Sequence, residues 1–227
     1  MSASPAQLRP AAFYDVDGTL VETNIVHVYL YYAMRLPKLK ERLGRMLRFA
    51  FLSPAYAVAE LMSRALFNRF FYTSYRGIPR ERLTVMGREL AEQALMPHLY
   101  ADARKRIRQA NEMGLMQVIV SGSLDSVMLP FAGRLGFDHV IANRLEFEED
   151  RATGRLVPPV LAGPQKRRVI EDFARDYNVD LTRSYAFADS YSDLAMLEAV
   201  GFPCAVNPDQ KLRTIAEERG WPILAFA

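Results

Sequence analysis

The run Asp15-Val16-Asp17-Gly18-Thr19-Leu20, entered from the apolar residues Ala11-Ala12-Phe13-Tyr14, constrains this chain more than any other feature. It sets two carboxylates two positions apart where a buried strand breaks into a glycine turn. Side chains alternate along a strand, so Asp15 and Asp17 can point from one face at its carboxyl end. That end is where open α/β sheets hold their ligands. An Asp-Gly turn can also close a hairpin, but no β-patterned partner strand follows.

The rest of the chain supplies the alternation that such a sheet needs. Gln117 to Ser121 reads as a short apolar strand ending in Ser121-Gly122-Ser123, and Leu124 to Leu135 reads as a helix closed near Gly136. His139 to Ala142 is a third strand. Leu145 to Glu148 and Arg155 to Val157, with Gly154 between them, form a candidate hairpin. Pro164 to Tyr177 has helical spacing, Ser184 to Ala188 is a strand running into Asp189, and Ser192 to Val200 is a short helix. Cys204 to Val206, Pro208 to Arg219 and Trp221 to Phe226 complete the pattern as strand, helix and strand. Strands alternating with helices imply an α/β fold, a Rossmann-like parallel sheet with helices on both faces.

Residues 22–100 interrupt the first crossover with a helical pattern, and a crossover normally needs only one helix. The stretch reads as a helical cap domain inserted after the first strand, over a core of residues 1–21 and 101–227. Within it Leu39, Leu43, Met46, Leu47 and Ala50 share one helical face, and Lys38, Arg42, Arg45 and Arg48 share the other. A second helix is suggested by Val58, Leu61, Met62, Ala65 and Leu66. Two cap helices packed together with a solvated basic side is the first expectation. A peripheral contact with anionic membrane through residues 35–50 is the sharper one.

Composition narrows the class. The 227 residues are 50% hydrophobic, enough for one domain with an insertion. A net charge of +3 is too small to argue for nucleic-acid binding. The lone cysteine, Cys204, excludes an intramolecular disulfide framework and has no partner for a cysteine zinc site. Met1 to Arg9 lacks the cationic and apolar regions of a signal peptide, so the expected location is cytoplasmic, with the membrane contact as the exception.

In a parallel sheet the ends that carry Asp15, Asp17, Ser121 and Asp189 lie along one edge, with Lys166 and Asp193 opening helices nearby. Carboxylates so close repel and raise one another's pKa unless a cation sits among them. Oxygen donors without a histidine cluster favour Mg²⁺, which is usually completed by substrate phosphate. Lys166, Ser121 and the Gly122 amide are donors suited to a phosphoryl group.

Taken in order, Asp15-x-Asp-Gly-Thr, the Ser121-Gly-Ser strand end, Lys166 and Asp189-x-x-x-Asp193 resemble the four motifs of the haloacid dehalogenase superfamily of phosphohydrolases. The helical insertion directly after the first motif is similar to the cap of its phosphoserine-phosphatase-like subfamily. The resemblance spans Ala11 to Leu224 and implies a phosphatase. In it Asp15 attacks phosphorus to give an aspartyl-phosphate, and Asp17 first protonates the leaving oxygen and then activates water. Thr19 would orient the Asp17 carboxyl and belong to the phosphoryl site with Ser121, Gly122 and Lys166. Mg²⁺ would be held by Asp15, the Asp17 backbone carbonyl and Asp189, while Asp193 stands behind them, holding Lys166 or a metal-bound water.

The departures bear on substrate. Asn24 stands where phosphoserine phosphatases carry a glutamate for the substrate's serine part, with Glu22 two residues earlier, and an amide cannot pair with an ammonium as a carboxylate does. Ala188 replaces the glycine before the metal-binding aspartate, and Ser192 an asparagine. Asn24, His27, Tyr31, Arg69 and Tyr72 are candidates for the cap's substrate wall. The expected substrate is a small-metabolite or lysolipid phosphate. A catalytically inactive phosphate-ligand binding or regulatory protein and a phosphotransferase on the same fold are the alternatives.

Overall fold

The computed structural model describes residues 8–36 and 38–227; residues 1–7 of the stretch read above for a leader and residue 37 of the basic stretch lie outside them. Strand β1 (Ala11–Tyr14) is followed by helices α1 (Ile25–Met34), α2 (Leu39–Met62), α3 (Arg64–Phe71) and α4 (Arg80–Leu90), and α5 (Ala101–Glu112) leads back to the sheet. The chain continues as β2 (Met116–Leu124), α6 (Asp125–Leu135), β3 (His139–Glu148), β4 (Arg151–Val157), α7 (Pro164–Tyr177), β5 (Tyr185–Ala188), α8 (Leu194–Leu197), β6 (Phe202–Val206), α9 (Gln210–Arg219) and β7 (Ile223–Leu224). The sheet order is β4-β3-β2-β1-β5-β6-β7, parallel except for β4, which runs antiparallel to β3.

β1 is central because it is apolar on both faces. Ala12 and Tyr14 pack into one core with Ala103 and Ile107 of α5 and Phe131 of α6, and Tyr14 stacks on Phe187 with ring centroids 4.8 Å apart. Ala11 and Phe13 point the other way, into a core with Ile170 and Phe173 of α7, Leu197 of α8 and Leu212 of α9. Helices therefore cover both faces, as parallel strands require. Helix ends follow local rules. Asn24 Oδ1 accepts the Val26 and His27 amides to start α1, Asp209 Oδ1 accepts the Leu212 amide to start α9, and Gly136 and Gly220 close α6 and α9 in left-handed conformations.

Two expectations are corrected. His139–Ala142 and Leu145–Glu148 are one strand, β3. The polar residue that broke their pattern, Asn143, is tied into the structure: its Nδ2 donates to the Gly122 carbonyl at 2.7 Å and its Oδ1 accepts the Leu161 amide at 2.9 Å. In the insertion, the helix expected from Leu39 to Ala50 continues through Pro54 to Met62 as the single α2, and of the residues assigned to the second helix Val58, Leu61 and Met62 belong to α2 while Ala65 and Leu66 belong to α3. Proline denies the Ala50 carbonyl its helical donor, and the Ser53 hydroxyl donates to that carbonyl at 2.8 Å instead. The apolar face of α2 does not pack inward either. Leu39, Leu43, Leu47 and Phe51 are exposed, and Tyr56 and Ala59 are the buried side.

The helical insertion is held at both ends and along its flank. The outgoing and returning chain run side by side, with the Glu22 amide on the His98 carbonyl at 2.9 Å and the Tyr100 amide on the Leu20 carbonyl at 3.0 Å. The β3–β4 hairpin meets it through the Gly77 amide on Ala152 and the Arg80 amide on Asp150, both at 2.8 Å. α4 crosses α6 so closely that a Cβ on Gly87 would lie 1.8 Å from the Ser126 carbonyl oxygen. Gly87→Ala should therefore force the helices apart and cost about 1–3 kcal/mol, seen as a lowered Tm; an unchanged Tm would show that the contact does not carry the insertion.

Candidate active site

A cleft of about 360 Å³ opens at the carboxyl ends of β1 and β5, lined by Asp15, Asp17, Gly18, Gly122, Lys166, Asp189 and Asp193 and, from the insertion, by Glu22, Asn24, Arg64 and Asn68. Asp15 follows β1 directly, and its amide is held by the Phe187 carbonyl of β5 at 3.0 Å. Gly18 turns the chain with φ +84°, and a Cβ there would lie 2.2 Å from Asp189 Oδ2. Only glycine gives both the turn and the room for that carboxylate.

The cleft is built on a buried ammonium. Lys166 Nζ lies 2.6 Å from Asp15 Oδ1 and 2.8 Å from Asp193 Oδ1, and the three side chains are all buried. Burial alone pulls a lysine pKa down, but the two carboxylates outweigh it and hold Lys166 above its ordinary value. Asp189 has no ammonium of its own. The Thr19 hydroxyl sits 3.2 Å from its Oδ1 and 3.4 Å from Asp15 Oδ2. Burial, then the charges of Asp15 and Asp193, push the Asp189 pKa up. Burial also raises Asp193, against the opposing pull of Lys166.

Asp17 occupies a different environment. Its Oδ2 accepts the Ser123 hydroxyl at 2.8 Å, while its Oδ1 is buried without a hydrogen-bond partner. Burial first, and the Asp15 charge second, push its pKa up to about 6, with the Ser123 bond opposing them. Two carboxyls two residues apart thus differ in kind: Asp15 is bonded to an ammonium, and Asp17 is the one that readily keeps a proton.

The carboxylates also fit a cation. Ligand oxygens of Asp15, Asp189 and Asp193 lie within 4.8 Å of one another, and the one ammonium among them leaves the group with surplus negative charge. An all-oxygen donor set of this kind suits a hard divalent ion.

Several expected residues sit elsewhere. Thr19 does not orient Asp17, because its hydroxyl faces Asp15 and Asp189; Ser123 fills that role. Ser121 is buried below the cleft lining, with its Oγ accepting the Ser123 amide at 3.0 Å, whereas Gly122 lines the cleft. Of the wall candidates only Asn24 reaches the cleft. His27 is exposed, and Tyr31 donates to Gln93 at 2.8 Å and stacks under Arg35 in a separate surface pocket. Arg69 is exposed on the outer side of α3, and Tyr72 is buried behind the site, donating to the Gly122 carbonyl at 3.0 Å. Arg64 and Asn68 take their place. They are one helical turn apart, a spacing visible in the sequence, and only the packing of α3 decides that this pair and not Arg69 faces inward. Ser123 was legible only as part of the Ser121-Gly122-Ser123 strand end, because the register of β2 shifts between Ser121 and Leu124 and alternation does not fix its face.

The profile of haloacid dehalogenase-like hydrolases matches residues 12–198. The chain belongs to this family. A Streptomyces azureus protein named for inhibition of morphological differentiation is 32% identical over 96% of this chain and 79% of its own length. The Mycobacterium tuberculosis phosphoserine phosphatase SerB1 is 29% identical over 98% of this chain and 72% of its own. Among solved structures, a phospho-aspartyl intermediate analogue of phosphoserine phosphatase superposes with TM-score 0.68 at 19% identity, covering 96% of this chain and 94% of that one. That likeness is one of fold.

The raised carboxyls make a prediction about metal-free protein. Asp17 and Asp189 bind protons more tightly folded than unfolded, so their penalty is absent below the unfolded value of 3.8 and grows as pH rises through the folded one, about 6 for Asp17. In chelator, Tm should fall from about pH 4 to pH 8 more steeply in the wild type than in Asp189→Asn. Mg²⁺ should raise Tm most at the alkaline end, and only in the wild type. Equal pH slopes for both proteins would remove Asp189 from the cluster.

Proposed function

We propose that this protein is a Mg²⁺-dependent phosphomonoesterase that works through an aspartyl-phosphate on Asp15. The observation that carries the reading is the pairing of two unlike aspartates at the end of β1: Asp15 ion-paired to Lys166, and Asp17 with a pKa pushed up to about 6. The names of the phosphatase relatives support it, as does the order of the four motifs.

In the first step Asp15 contributes an oxygen to phosphorus as the phosphorus–oxygen ester bond breaks, and Asp17 gives its proton to the departing alcohol. In the second, water attacks the phosphorus of the aspartyl-phosphate, Asp17 takes back a proton, and the bond to Asp15 breaks to release inorganic phosphate. Lys166 stays charged throughout and neutralises phosphoryl oxygens together with the Gly122 amide. Asp15, Asp189 and the Asp17 carbonyl would hold Mg²⁺, which supplies countercharge to the phosphoryl group. Asp193 fixes Lys166. Ser121 supports the Ser123 amide, and so positions the hydroxyl that restrains Asp17.

The helices of residues 22–100 act as the cap that closes the cleft and selects the alcohol. The cap presents a guanidinium (Arg64), an amide with an unpartnered buried oxygen (Asn68 Oδ1) and the Asn24 amide, whose own oxygen is taken by the start of α1. Such a wall reads polar groups of a small metabolite, with Glu22 the carboxylate that an amine on it would meet. A lysolipid head group offers the same phosphate and hydroxyl chemistry and belongs in the same screen. The intact acid pair argues against a binding protein without catalysis, since a bare phosphate site gains nothing from adjacent negative charge.

With an aryl phosphate and Mg²⁺, Asp15→Asn should lower turnover by at least about a thousandfold with the fold intact; retained turnover would reject the nucleophile. Removing the Ser123 hydroxyl removes a bond that favours ionised Asp17, so Ser123→Ala should shift the alkaline limb of the kcat/KM profile to higher pH. A limb that stays in place would assign it to another group.

A further inference from the structure

We infer that the outward face of α2 docks on an anionic phospholipid bilayer. At about 100° per residue, Leu39, Leu43, Leu47, Phe51, Val58 and Leu61 fall within an arc of about 120°, and every one of them is exposed, Phe51 by 84% and Leu61 by 88%. The opposite side of the helix is already covered, with Phe49 ring centroids 5.7 Å from Tyr29 and 5.6 Å from Tyr56. α2 is thus apolar on both faces over its second half, and an apolar helix face about 36 Å long does not remain in water without a partner.

Charge selects the occupant. In the amino-terminal half of the stripe the exposed Lys40 lies within the arc and the exposed Arg42 and Arg48 flank it on either side, and the one carboxylate in that stretch, Glu41, lies 3.5 Å from Lys38 and 3.8 Å from Arg82. Farther along, Glu60 is bonded to Arg64 at 2.6 Å. A second copy would bring the same cations and carboxylates that are already engaged. A sheet of lipid phosphates supplies countercharge along the whole edge while its acyl region takes the leucines, and lysine and arginine stems can lie along the apolar surface with their heads in the phosphate layer. The helix lies on the bilayer and does not cross it, for among the described residues no helix is long and apolar enough to span a membrane. The carboxyl end of the stripe, Leu61 and Met62, also borders a groove that shares Arg64, Ser190 and Ser192 with the catalytic cleft, which places the mouth of the cleft beside the docked face.

This inference does not depend on the phosphatase reading, and its test needs no turnover. The full chain is sedimented with vesicles of phosphatidylcholine and phosphatidylglycerol, and with phosphatidylcholine alone, at low and high salt. Binding should require phosphatidylglycerol and weaken with salt. Leu43→Ser with Phe51→Ser should reduce binding by roughly tenfold or more, and Lys40→Glu with Arg48→Glu should abolish its dependence on phosphatidylglycerol. All four positions are exposed, so unchanged Tm would show that the fold is intact. No binding to the anionic vesicles at low salt overturns the inference. So does wild-type binding by the Leu43, Phe51 variant, or a dimer in solution that this variant dissociates, which would give the face to a second copy.

Discussion

Lys166, buried between Asp15 and Asp193, is the interaction on which the rest of the structure depends. Taking an ammonium out of water costs several kcal/mol, and only close, well-directed carboxylates offset it. Here the contacts are 2.6 Å and 2.8 Å, and they join the end of β1, the first turn of α7 and the approach to α8. Removing Lys166 would leave two buried carboxylates without their counter-ion. The same arrangement makes the site chemically asymmetric, because Asp15 lies against an ammonium while Asp17, two residues on, faces a hydroxyl and burial.

The sheet exists to hold that asymmetry still. β1 is only four residues long, yet it is buried on both faces and flanked by β2 and β5, so the backbone that carries Asp15 has little freedom. The turn after it is set by Gly18, which leaves room for the Asp189 carboxylate arriving from β5. The helical insertion then leaves and returns through paired backbone at Glu22 and Tyr100, and is fastened again by the β3–β4 hairpin and by the contact of α4 with α6. Arg64 and Asn68 reach the cleft because α3 is fixed in this way.

The insertion serves two opposed faces. Inward, an aromatic cluster of Tyr29, Phe49, Tyr56, Phe67 and Phe71 packs α1, α2 and α3 together. Outward, α2 presents leucines edged by cations, a surface whose chemistry matches a phospholipid layer. The unbroken helix is a condition for this. At Pro54 the Ser53 hydroxyl satisfies the Ala50 carbonyl that has no helical donor.

Read alone, the chain was enough to establish the parallel α/β sheet, because period-two and period-3.6 patterns are local properties of sequence, and its motif spacing picked out Asp15, Asp17, Lys166, Asp189 and Asp193, which the fold brings to one cleft. It also located the end of α6 at Gly136, whereas the capping of α1 by Asn24 appeared only in the structure. What it did not contain was orientation. Whether Thr19 faces Asp17 or Asp189, whether Arg64 or Arg69 enters the cleft, and whether the leucines of α2 point in or out depend on the rotation of an element about its own axis. Amphipathic patterns can be met by two partners, a protein core or a surface outside the chain. Only the packing of neighbouring elements chooses between them, because burial is a property of the assembled structure and not of any one segment.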